Sequence, residues 1–192
     1  MRHSLVTLII PTTSRDLSLA QQLEVAASPH VARVLVILDR QYGEAIQAGV
    51  QTVITPYTAT MDADGQHQVK DLLRVLEAMT PETSMVIGAR PGVWTPRGTA
   101  SQLLNLTASI LTGRRVRDFG SGCRVFSTGL YREQRLPSGF DHNASLTLAF
   151  LTQRYPVKWV TIPHRKRIVG KSHVQPLRDG VKTLRTILSH GH

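Results

Sequence analysis

The hydrophobic positions along this chain of 192 residues form short apolar runs that alternate with longer segments of helical spacing. The short runs predict strands at Leu5–Ile10, Val34–Leu38, Val53–Ile54, Tyr57–Met61, Met85–Ile87, Cys123–Phe126 and Val157–Ile162. Apolar residues three and four positions apart predict helices at Leu17–Ala27, Tyr42–Gly49, Val69–Met79, Ala100–Leu111, Asn143–Arg154 and Leu177–Leu188. This alternation favours an α/β fold, with a Rossmann-like, open and mostly parallel sheet flanked by helices. No repeat or linker interrupts the pattern, so we expect a single domain over residues 1–192.

Three details of the pattern refine this expectation. Val34–Leu38 is a continuous apolar run, which is typical of a strand buried on both faces of a parallel sheet. Pro91–Gly98 is rich in proline and glycine and predicts a loop. Leu177–Leu188 places its apolar residues on one stripe; most such stripes pack inward, although a membrane contact stays open.

The net charge of +10 is concentrated toward the end of the chain. From Gln153 onward there are nine lysines and arginines and a single acid, Asp179, so this stretch contributes +8. A basic segment attracts nucleic acid, an anionic membrane or a phosphate-bearing substrate. With 5% aromatic residues and no nucleic-acid motif, we expect no nucleic-acid partner.

Cysteine content and hydropathy indicate the compartment. Cys123 is the single cysteine, which excludes an internal disulfide and favours the cytoplasm. No apolar run approaches the roughly 20 residues of a membrane span, and the apolar start of the chain predicts a first strand rather than a signal peptide. The histidines lack the spacing of zinc ligands, so we expect no structural zinc site.

Two carboxylates, Asp62 and Asp64, directly follow the strand predicted at Tyr57–Met61. Alternation puts both side chains on one face if the extended backbone continues. Such a pair can hold a hard divalent cation through its oxygens, and Gln66 can add a neutral carbonyl ligand. A cation there would neutralise charge on a departing diphosphate. The alternative is a polar turn in which Asp64 caps the next helix, and the motif alone leaves both interpretations open.

An ordered set of patches then resembles a known family. The patches are Met61–His67, Gly88–Arg90, Arg97 with Ser101, Val116–Arg124, Gly139–Phe140 and Ile162–Ser172. They resemble the inverting family 2 glycosyltransferases of the GT-A fold, in the branch of dolichol-phosphate mannose synthase and the polyprenyl-phosphate glycosyltransferases. The resemblance covers the chain from Gln41 to its end, and the order of the patches makes it more specific than any single motif.

The resemblance implies a GT-A fold, a requirement for Mg²⁺ or Mn²⁺, a nucleotide-diphosphate-sugar donor and a polyprenyl (dolichyl or undecaprenyl) phosphate acceptor, with inversion at the sugar. Asp64 and Gln66 match the metal-binding pair, and Asp62 matches the carboxylate beside the nucleotide sugar. Arg90, Asp62, Asp64 and Asp141 are the implied catalytic residues. The implied substrate-binding residues are Pro11, Asp39, Arg90, Arg97, Ser101, Arg124, Arg167, Lys171 and Ser172.

The residue types also suit this chemistry without reference to the family. A lipid monophosphate is ionised at pH 7, so its oxygen can attack the sugar without a strong general base. The protein then has to position phosphates and stabilise the leaving diphosphate. Arginines grip phosphate through two parallel hydrogen bonds, and Arg90, Arg97, Arg124 and Arg167 are available for this.

The chain also departs from the family pattern. Asp39-Arg40 passes almost directly into Gln41-Tyr42-Gly43, so the part that grips the nucleotide base is shortened. Ser145 stands where an acidic residue is expected, and Asp141 is the nearest carboxylate. His173 stands where a lysine is expected, and its charge depends on pH near neutrality.

Other interpretations therefore stay open: a GT-A enzyme that uses a hydroxyl acceptor with Asp141 as base, or a non-catalytic nucleotide-sugar-binding homologue. Arg90 could be a solvated loop charge, Arg117–Asp118 a local ion pair and Arg165–Arg167 a solvated basic face. If the acceptor is a lipid, we expect peripheral contact with the cytoplasmic face of a membrane. The basic tail would contribute about 1 kcal/mol per basic residue close to an anionic surface.

Overall fold

The computed structural model describes residues 3–91 and 96–168. Its strands are β1 (Val6–Thr12), β2 (Arg33–Leu38), β3 (Tyr57–Thr60), β4 (Met85–Ala89), β5 (Arg124–Ser127) and β6 (Val157–Thr161). Its α-helices are α1 (Leu17–Ala27), α2 (Tyr42–Thr52), α3 (Val69–Glu77), α4 (Pro96–Thr112), α5 (Thr128–Arg132) and α6 (His142–Thr152). Short 3₁₀ turns precede β1 and β2. The predicted succession of strands and helices is therefore largely confirmed over these residues.

The six strands form one sheet in the order β2-β1-β3-β5-β4-β6. Strand β5 is antiparallel to both of its neighbours, whereas the other pairings are parallel. The predicted α/β fold with a mostly parallel sheet is confirmed. One edge of this sheet gathers the carboxyl ends of five strands and the amino end of β5, and ligands of open α/β sheets bind at this edge.

Both faces of the sheet are covered by helices. Alternate residues of β1 illustrate this, because Val6, Leu8 and Ile10 pack with α1 and α3, whereas Ile9 packs with α2 and α6 on the other face. All four side chains are fully buried. Their alternation in a strand covered on both sides holds the sheet rigidly between two apolar layers.

One predicted strand is wrong, and another is less buried than expected. Val53–Ile54 is not a strand, because α2 continues to Thr52 and Arg132 donates hydrogen bonds to the carbonyls of Val50 and Val53 that end the helix. An apolar pair is too short to distinguish a strand from a helix end. The run at β2 is packed on both faces, with Val34 and Val36 on one core layer and Leu35 and Ile37 on the other, but because β2 is the edge strand its residues are only partly buried.

Helix α4 begins earlier than predicted, and part of its surface is apolar. It starts at Pro96, where proline suits the first turn of a helix, so the predicted loop through Gly98 was too long. Leu103, Leu106 and Ile110 are exposed and share one stripe. Within residues 3–91 and 96–168, no helix has the length and hydropathy needed to cross a bilayer. The predicted helix at Leu177–Leu188 lies outside the described residues.

Candidate active site

The turn after β3 holds the two predicted carboxylates. The Oδ1 atom of Asp64 accepts a hydrogen bond from the Gln66 backbone N–H at 2.9 Å, and Gly65 between them has φ of 82°. Helix α3 begins further on, and its N-terminus is closed by a capping box of Gln68 and Asp71. The interpretation of Asp64 as a helix cap is therefore wrong.

Several buried polar atoms at this turn have no hydrogen-bond partner within the described residues. They are Oδ1 of Asp62, Oδ2 of Asp64 and both ring nitrogens of His67. Burial, together with the neighbouring charge of Asp62, raises the pKa of Asp64. Burial also lowers the pKa of His67, which favours the neutral ring. A cation placed between these carboxylates would relieve both their desolvation and their mutual repulsion.

The chain supplies only part of a coordination shell. No group of three histidine, cysteine or carboxylate side chains surrounds a metal position in the described part of the molecule. The Gln66 amide is fixed, because its Nε2 donates to the Arg165 carbonyl at 2.9 Å. Asp64, Asp62 and Gln66 therefore fit a hard cation such as Mg²⁺ or Mn²⁺ that takes its other ligands from diphosphate oxygens and water.

Arg90 lies at the end of β4 and is fixed by Asp118. Its Nε donates to Asp118 Oδ2 at 2.8 Å, its Nη2 donates to Oδ1 at 3.1 Å, and its backbone N–H donates to Oδ2 at 3.1 Å. Burial alone would lower the pKa of Arg90, but attraction to Asp118 outweighs it and the pKa is raised. Arg117 instead donates to Thr161, so the predicted Arg117–Asp118 ion pair is wrong.

Arg124 was predicted to bind substrate, and the structure corrects this. Its guanidinium is fully buried and donates to the carbonyls of Ser121, Phe119 and Asn143 and to the Thr147 hydroxyl. Burial lowers its pKa to about 10, which still leaves it charged at neutral pH. Because its donors are used inside the protein, Arg124 acts on the site only through the loop that it holds.

That loop, residues 118–122, contacts Asp62. The Thr60 hydroxyl donates to the Gly122 carbonyl at 2.8 Å, so β3 and the loop are joined directly. A methyl group on Gly122 would collide with the Asp62 carboxylate. Glycine is therefore required for Asp62 to lie where it does.

The side of the site formed by β1 and β2 is arranged differently. Asp39 follows β2 with φ of 52°, and its carboxylate accepts hydrogen bonds from the Ser14 N–H at 2.9 Å and the Ser14 hydroxyl at 2.5 Å. These bonds lower the pKa of Asp39. Pro11 lies within β1, opposite Ile37. The predicted nucleotide-binding carboxylate is thus already occupied by a serine of the same chain.

The shortened connection brings α2 against the start of α6. The Tyr42 hydroxyl accepts a hydrogen bond from Asn143 Nδ2 at 2.9 Å, and its ring stacks on Phe140 with centroids 6.4 Å apart. Burial and the negative charge of Asp62 raise the pKa of Tyr42. The Asp141 carboxylate lies back over Gly139, and no described contact joins it to Asp62, Asp64 or Arg90.

The remaining predicted residues come from α4 and from the chain after β6. Nη2 of Arg167 lies 2.8 Å from Oδ2 of Asp64, so the structure brings these two residues together. Ser101 is exposed in α4. The Arg97 side chain, Lys171 and Ser172 lie outside the described residues.

Sequence reasoning missed Asp118, His67 and Tyr42 as parts of this site. Asp118 lay inside the patch Val116–Arg124, but its pairing with Arg90 joins residues 28 apart in the chain. His67 lay in the first patch, and only its burial without a partner distinguishes it. Tyr42 had no motif, so only the fold could assign it to the site.

The geometry can now be compared with known proteins. The model of Glycosyl transferase family 2 matches residues 8–136. The chain is 29% identical over 180 residues to undecaprenyl-phosphate 4-deoxy-4-formamido-L-arabinose transferase of Enterobacter sp. (strain 638), covering 89% of this chain and 53% of the relative. It is 26% identical over 158 residues to glycosyltransferase AglJ of Haloferax volcanii, covering 78% of this chain and 52% of the relative.

Among solved structures, glucosyl-3-phosphoglycerate synthase of Mycobacterium tuberculosis, in complex with Mn²⁺, UDP-glucose and phosphoglyceric acid, superposes with a TM-score of 0.80 at 12% identity. That match covers 98% of this chain and 80% of the synthase, and it concerns the fold alone. The chain spans about half the length of the curated relatives that it matches. With the matched residues, the sheet order and the edge of carboxylates and arginines in place, this chain belongs to glycosyl transferase family 2 and has the GT-A fold.

Proposed function

We propose that this protein transfers a sugar from a nucleotide-diphosphate donor to a polyprenyl phosphate, with Mg²⁺ or Mn²⁺ and with inversion at the anomeric carbon. The observation that supports this most directly is the carboxylate pair of the half-buried Asp62 and the buried Asp64, beside Arg90 and Arg167. Each carboxylate has a buried oxygen that accepts no hydrogen bond from the described residues. A buried carboxylate oxygen that accepts no hydrogen bond is costly, and a bound cation with a diphosphate lowers that cost. The names of the relatives point to undecaprenyl phosphate as the acceptor class.

Asp62, Asp64 and Gln66 would hold the cation against the donor diphosphate, and the cation would neutralise charge on that leaving group. The acceptor phosphate oxygen forms the new bond to the anomeric carbon while the bond to the diphosphate oxygen breaks on the opposite face. The acceptor is already ionised, so no proton has to be removed. Positioning of the two phosphates is then the main task of the protein.

Arg90 is assigned to one of those phosphates. Among the described residues, Asp118 accepts the Nε N–H and one Nη2 N–H, so the two N–H groups of Nη1 and the second one of Nη2 remain as donors for a ligand. The two hydrogen bonds to Asp118 fix the guanidinium plane before substrate arrives, so little entropy is lost on binding. Arg97 and Ser101, near the start of α4, are assigned to the same acceptor phosphate.

The exposed apolar stripe of α4 supports a lipid acceptor. Leu103, Leu106 and Ile110 begin only two residues after Ser101, so a lipid whose phosphate lies at Ser101 would extend along them. An exposed stripe of large apolar side chains is typical of an interaction surface. We infer that this helix contacts the cytoplasmic face of a membrane peripherally, with help from the basic C-terminal stretch.

Transfer can be tested directly. Purified full-length protein is incubated with labelled nucleotide sugars, Mn²⁺ and undecaprenyl phosphate, and label is followed into the organic phase. We expect transfer that requires the metal and the lipid phosphate together, with the opposite anomeric configuration in the product. Three results together would instead support the hydroxyl-acceptor enzyme. The protein would transfer sugar to soluble hydroxyl acceptors, it would transfer none to lipid phosphate, and Asp141→Asn would reduce the transfer to hydroxyl acceptors.

A second candidate is a non-catalytic homologue that binds nucleotide sugar. The hydrogen bonds from Ser14 to Asp39 favour it, because they occupy the carboxylate expected to contact the nucleotide. Calorimetry with nucleotide diphosphates and Mn²⁺ separates the two: binding without turnover indicates the non-catalytic homologue. If neither binding nor turnover is found, both functions are excluded.

A further inference from the structure

The segment that follows β6 lies along the Asp64–Gln66 turn. The Arg165 guanidinium donates to the Gln66 carbonyl at 3.2 Å, and the Ile168 N–H donates to the Asp64 carbonyl at 3.0 Å. The Ile168 side chain covers Gly65, where an added Cβ would lie 2.6 Å from Ile168 Cδ1. Together with the bond from Gln66 Nε2 to the Arg165 carbonyl, these contacts hold the two segments side by side.

One of the two arginines in this segment is a fixed anchor. Arg165 pairs with both oxygens of Asp71, which is fully buried and also accepts a hydrogen bond from the Gln68 N–H at the start of α3. The pair is aligned, bidentate and shielded from water. It fastens the segment to α3 and brings Arg167, two residues further, over the turn.

The other arginine is held much more loosely. Nη2 of Arg167 approaches Oδ2 of Asp64 to 2.8 Å, but no N–H points at this oxygen, which is among the atoms without a hydrogen-bond partner in the described residues. The Arg167 side chain is 33% exposed, whereas the side chain of Arg165 is 19% exposed. A poorly aligned ion pair whose arginine is partly exposed to water contributes little free energy, so this arginine can be exchanged readily.

We propose that Arg167 is an exchangeable internal cation, which occupies Oδ2 of Asp64 until a divalent metal and a diphosphate arrive together. This inference rests on the proposed function and adds a coupling within the same site. A metal ion that binds alone has to displace Arg167. A diphosphate offers the displaced guanidinium a bidentate partner, so metal and nucleotide diphosphate favour each other's binding.

The variant Arg167→Gln tests this proposal through two affinities, which are expected to change in opposite directions. Binding of Mn²⁺ alone is followed by the electron paramagnetic resonance signal of free Mn²⁺, and binding of UDP or GDP at saturating Mn²⁺ is followed by calorimetry. We expect Arg167→Gln to bind Mn²⁺ alone about fivefold more tightly than wild type, and to bind the nucleotide diphosphates about fivefold more weakly.

The matched control is Lys166→Gln, an exposed neighbour that loses the same charge. It should change both affinities by less than about twofold, because it lowers the general field without touching Asp64. Unchanged or weaker Mn²⁺ binding in Arg167→Gln, or equal gains in both variants, would overturn the exchange. If wild type binds neither nucleotide even with Mn²⁺, the proposed function itself fails; if it binds them and only the gain in Mn²⁺ affinity is missing, the exchange alone fails.

Discussion

Two buried polar clusters face each other across the loop of residues 118–122, and they differ in how their polar atoms are satisfied. The carboxylate cluster, Asp62, Asp64 and His67, contains buried oxygens and nitrogens without hydrogen-bond partners in the described residues. The arginine cluster, Arg124 with the Asn143 carbonyl and the Thr147 hydroxyl, has hydrogen bonds on every nitrogen of the guanidinium.

The difference indicates what each cluster is for. A buried polar group without a hydrogen-bond partner costs free energy. A fold retains such a group only where a ligand supplies the missing partner or where the surrounding contacts hold the group in place despite the cost. A fully bonded cluster needs no ligand and stabilises the fold by itself. We therefore expect substitutions in the carboxylate cluster to affect activity, and substitutions in the arginine cluster to affect stability.

The largest effect is expected for Asp64→Asn. Loss of one carboxylate removes the main oxygen ligand for the cation, and sugar transfer should fall by about 10²- to 10³-fold. The midpoint temperature of unfolding should be unchanged or raised, because one of two repelling carboxylates, the buried one, is neutralised. Transfer of labelled sugar and calorimetric unfolding measure the two effects. A variant that unfolds more easily and still transfers sugar would remove the distinction between the clusters.

The next effect is expected for Arg124→Met. The methionine fills the space of the arginine stem but removes the buried donors of the Ser121 carbonyl, and it leaves the Phe119 and Asn143 carbonyls to share the Thr147 hydroxyl. We expect the free energy of unfolding to fall by about 3 kcal/mol, measured by urea denaturation. Arg115→Met, at an exposed position, serves as the matched control and should lie within about 0.5 kcal/mol of wild type. Equal stability of the two variants would contradict a structural role for Arg124.

A smaller effect should appear as pH dependence, through His142. Burial lowers its pKa to about 4, while its Nδ1 lies 2.8 Å from the Pro137 carbonyl and its Nε2 lies 3.1 Å from the Tyr131 hydroxyl. As the pH falls, His142 is therefore protonated in the unfolded chain before it is protonated in the folded one. The contribution of the neutral His142 ring to the free energy of unfolding is complete above about pH 6.5 and is lost as the pH falls toward 4. Between pH 7.5 and 5 it amounts to about 2 kcal/mol. Urea denaturation across this range should show a smaller loss in His142→Gln, and identical slopes would contradict the assignment.

The smallest effect is expected outside both clusters, at Asp39. Both oxygens of its carboxylate accept hydrogen bonds from Ser14, and the residue is exposed to solvent. Asp39 therefore has no buried oxygen that needs a ligand, in contrast to Asp64. Asp39→Asn should change the affinity for UDP or GDP with Mn²⁺ by less than about threefold in calorimetry. A loss comparable to that in Asp64→Asn would mean that Ser14 releases Asp39 to the nucleotide.

Much of the fold and part of the site could be predicted from the sequence. The helix Leu17–Ala27 was predicted with its observed bounds, because its apolar spacing is regular and its packing follows from that spacing. Asp64 and Arg167 were both assigned to the site from the sequence, and the structure brings them within 2.8 Å of each other. The buried state of Arg124 could not be predicted, since an arginine in a glycine-rich patch suits a phosphate site as well as a set of backbone carbonyls.

Local pattern and charge sequence thus determined the α/β alternation, the carboxylate pair and the basic end of the chain, because these depend on neighbouring residues. The pairing of Arg90 with Asp118, the contact of Gly122 with Asp62 and the anchoring of Arg165 by Asp71 were decided only by tertiary structure. Each of these contacts joins residues between 28 and 94 positions apart. The order of the strands in the sheet brings such residues together in space, and the periodicity within a single helix or strand carries no information about that order.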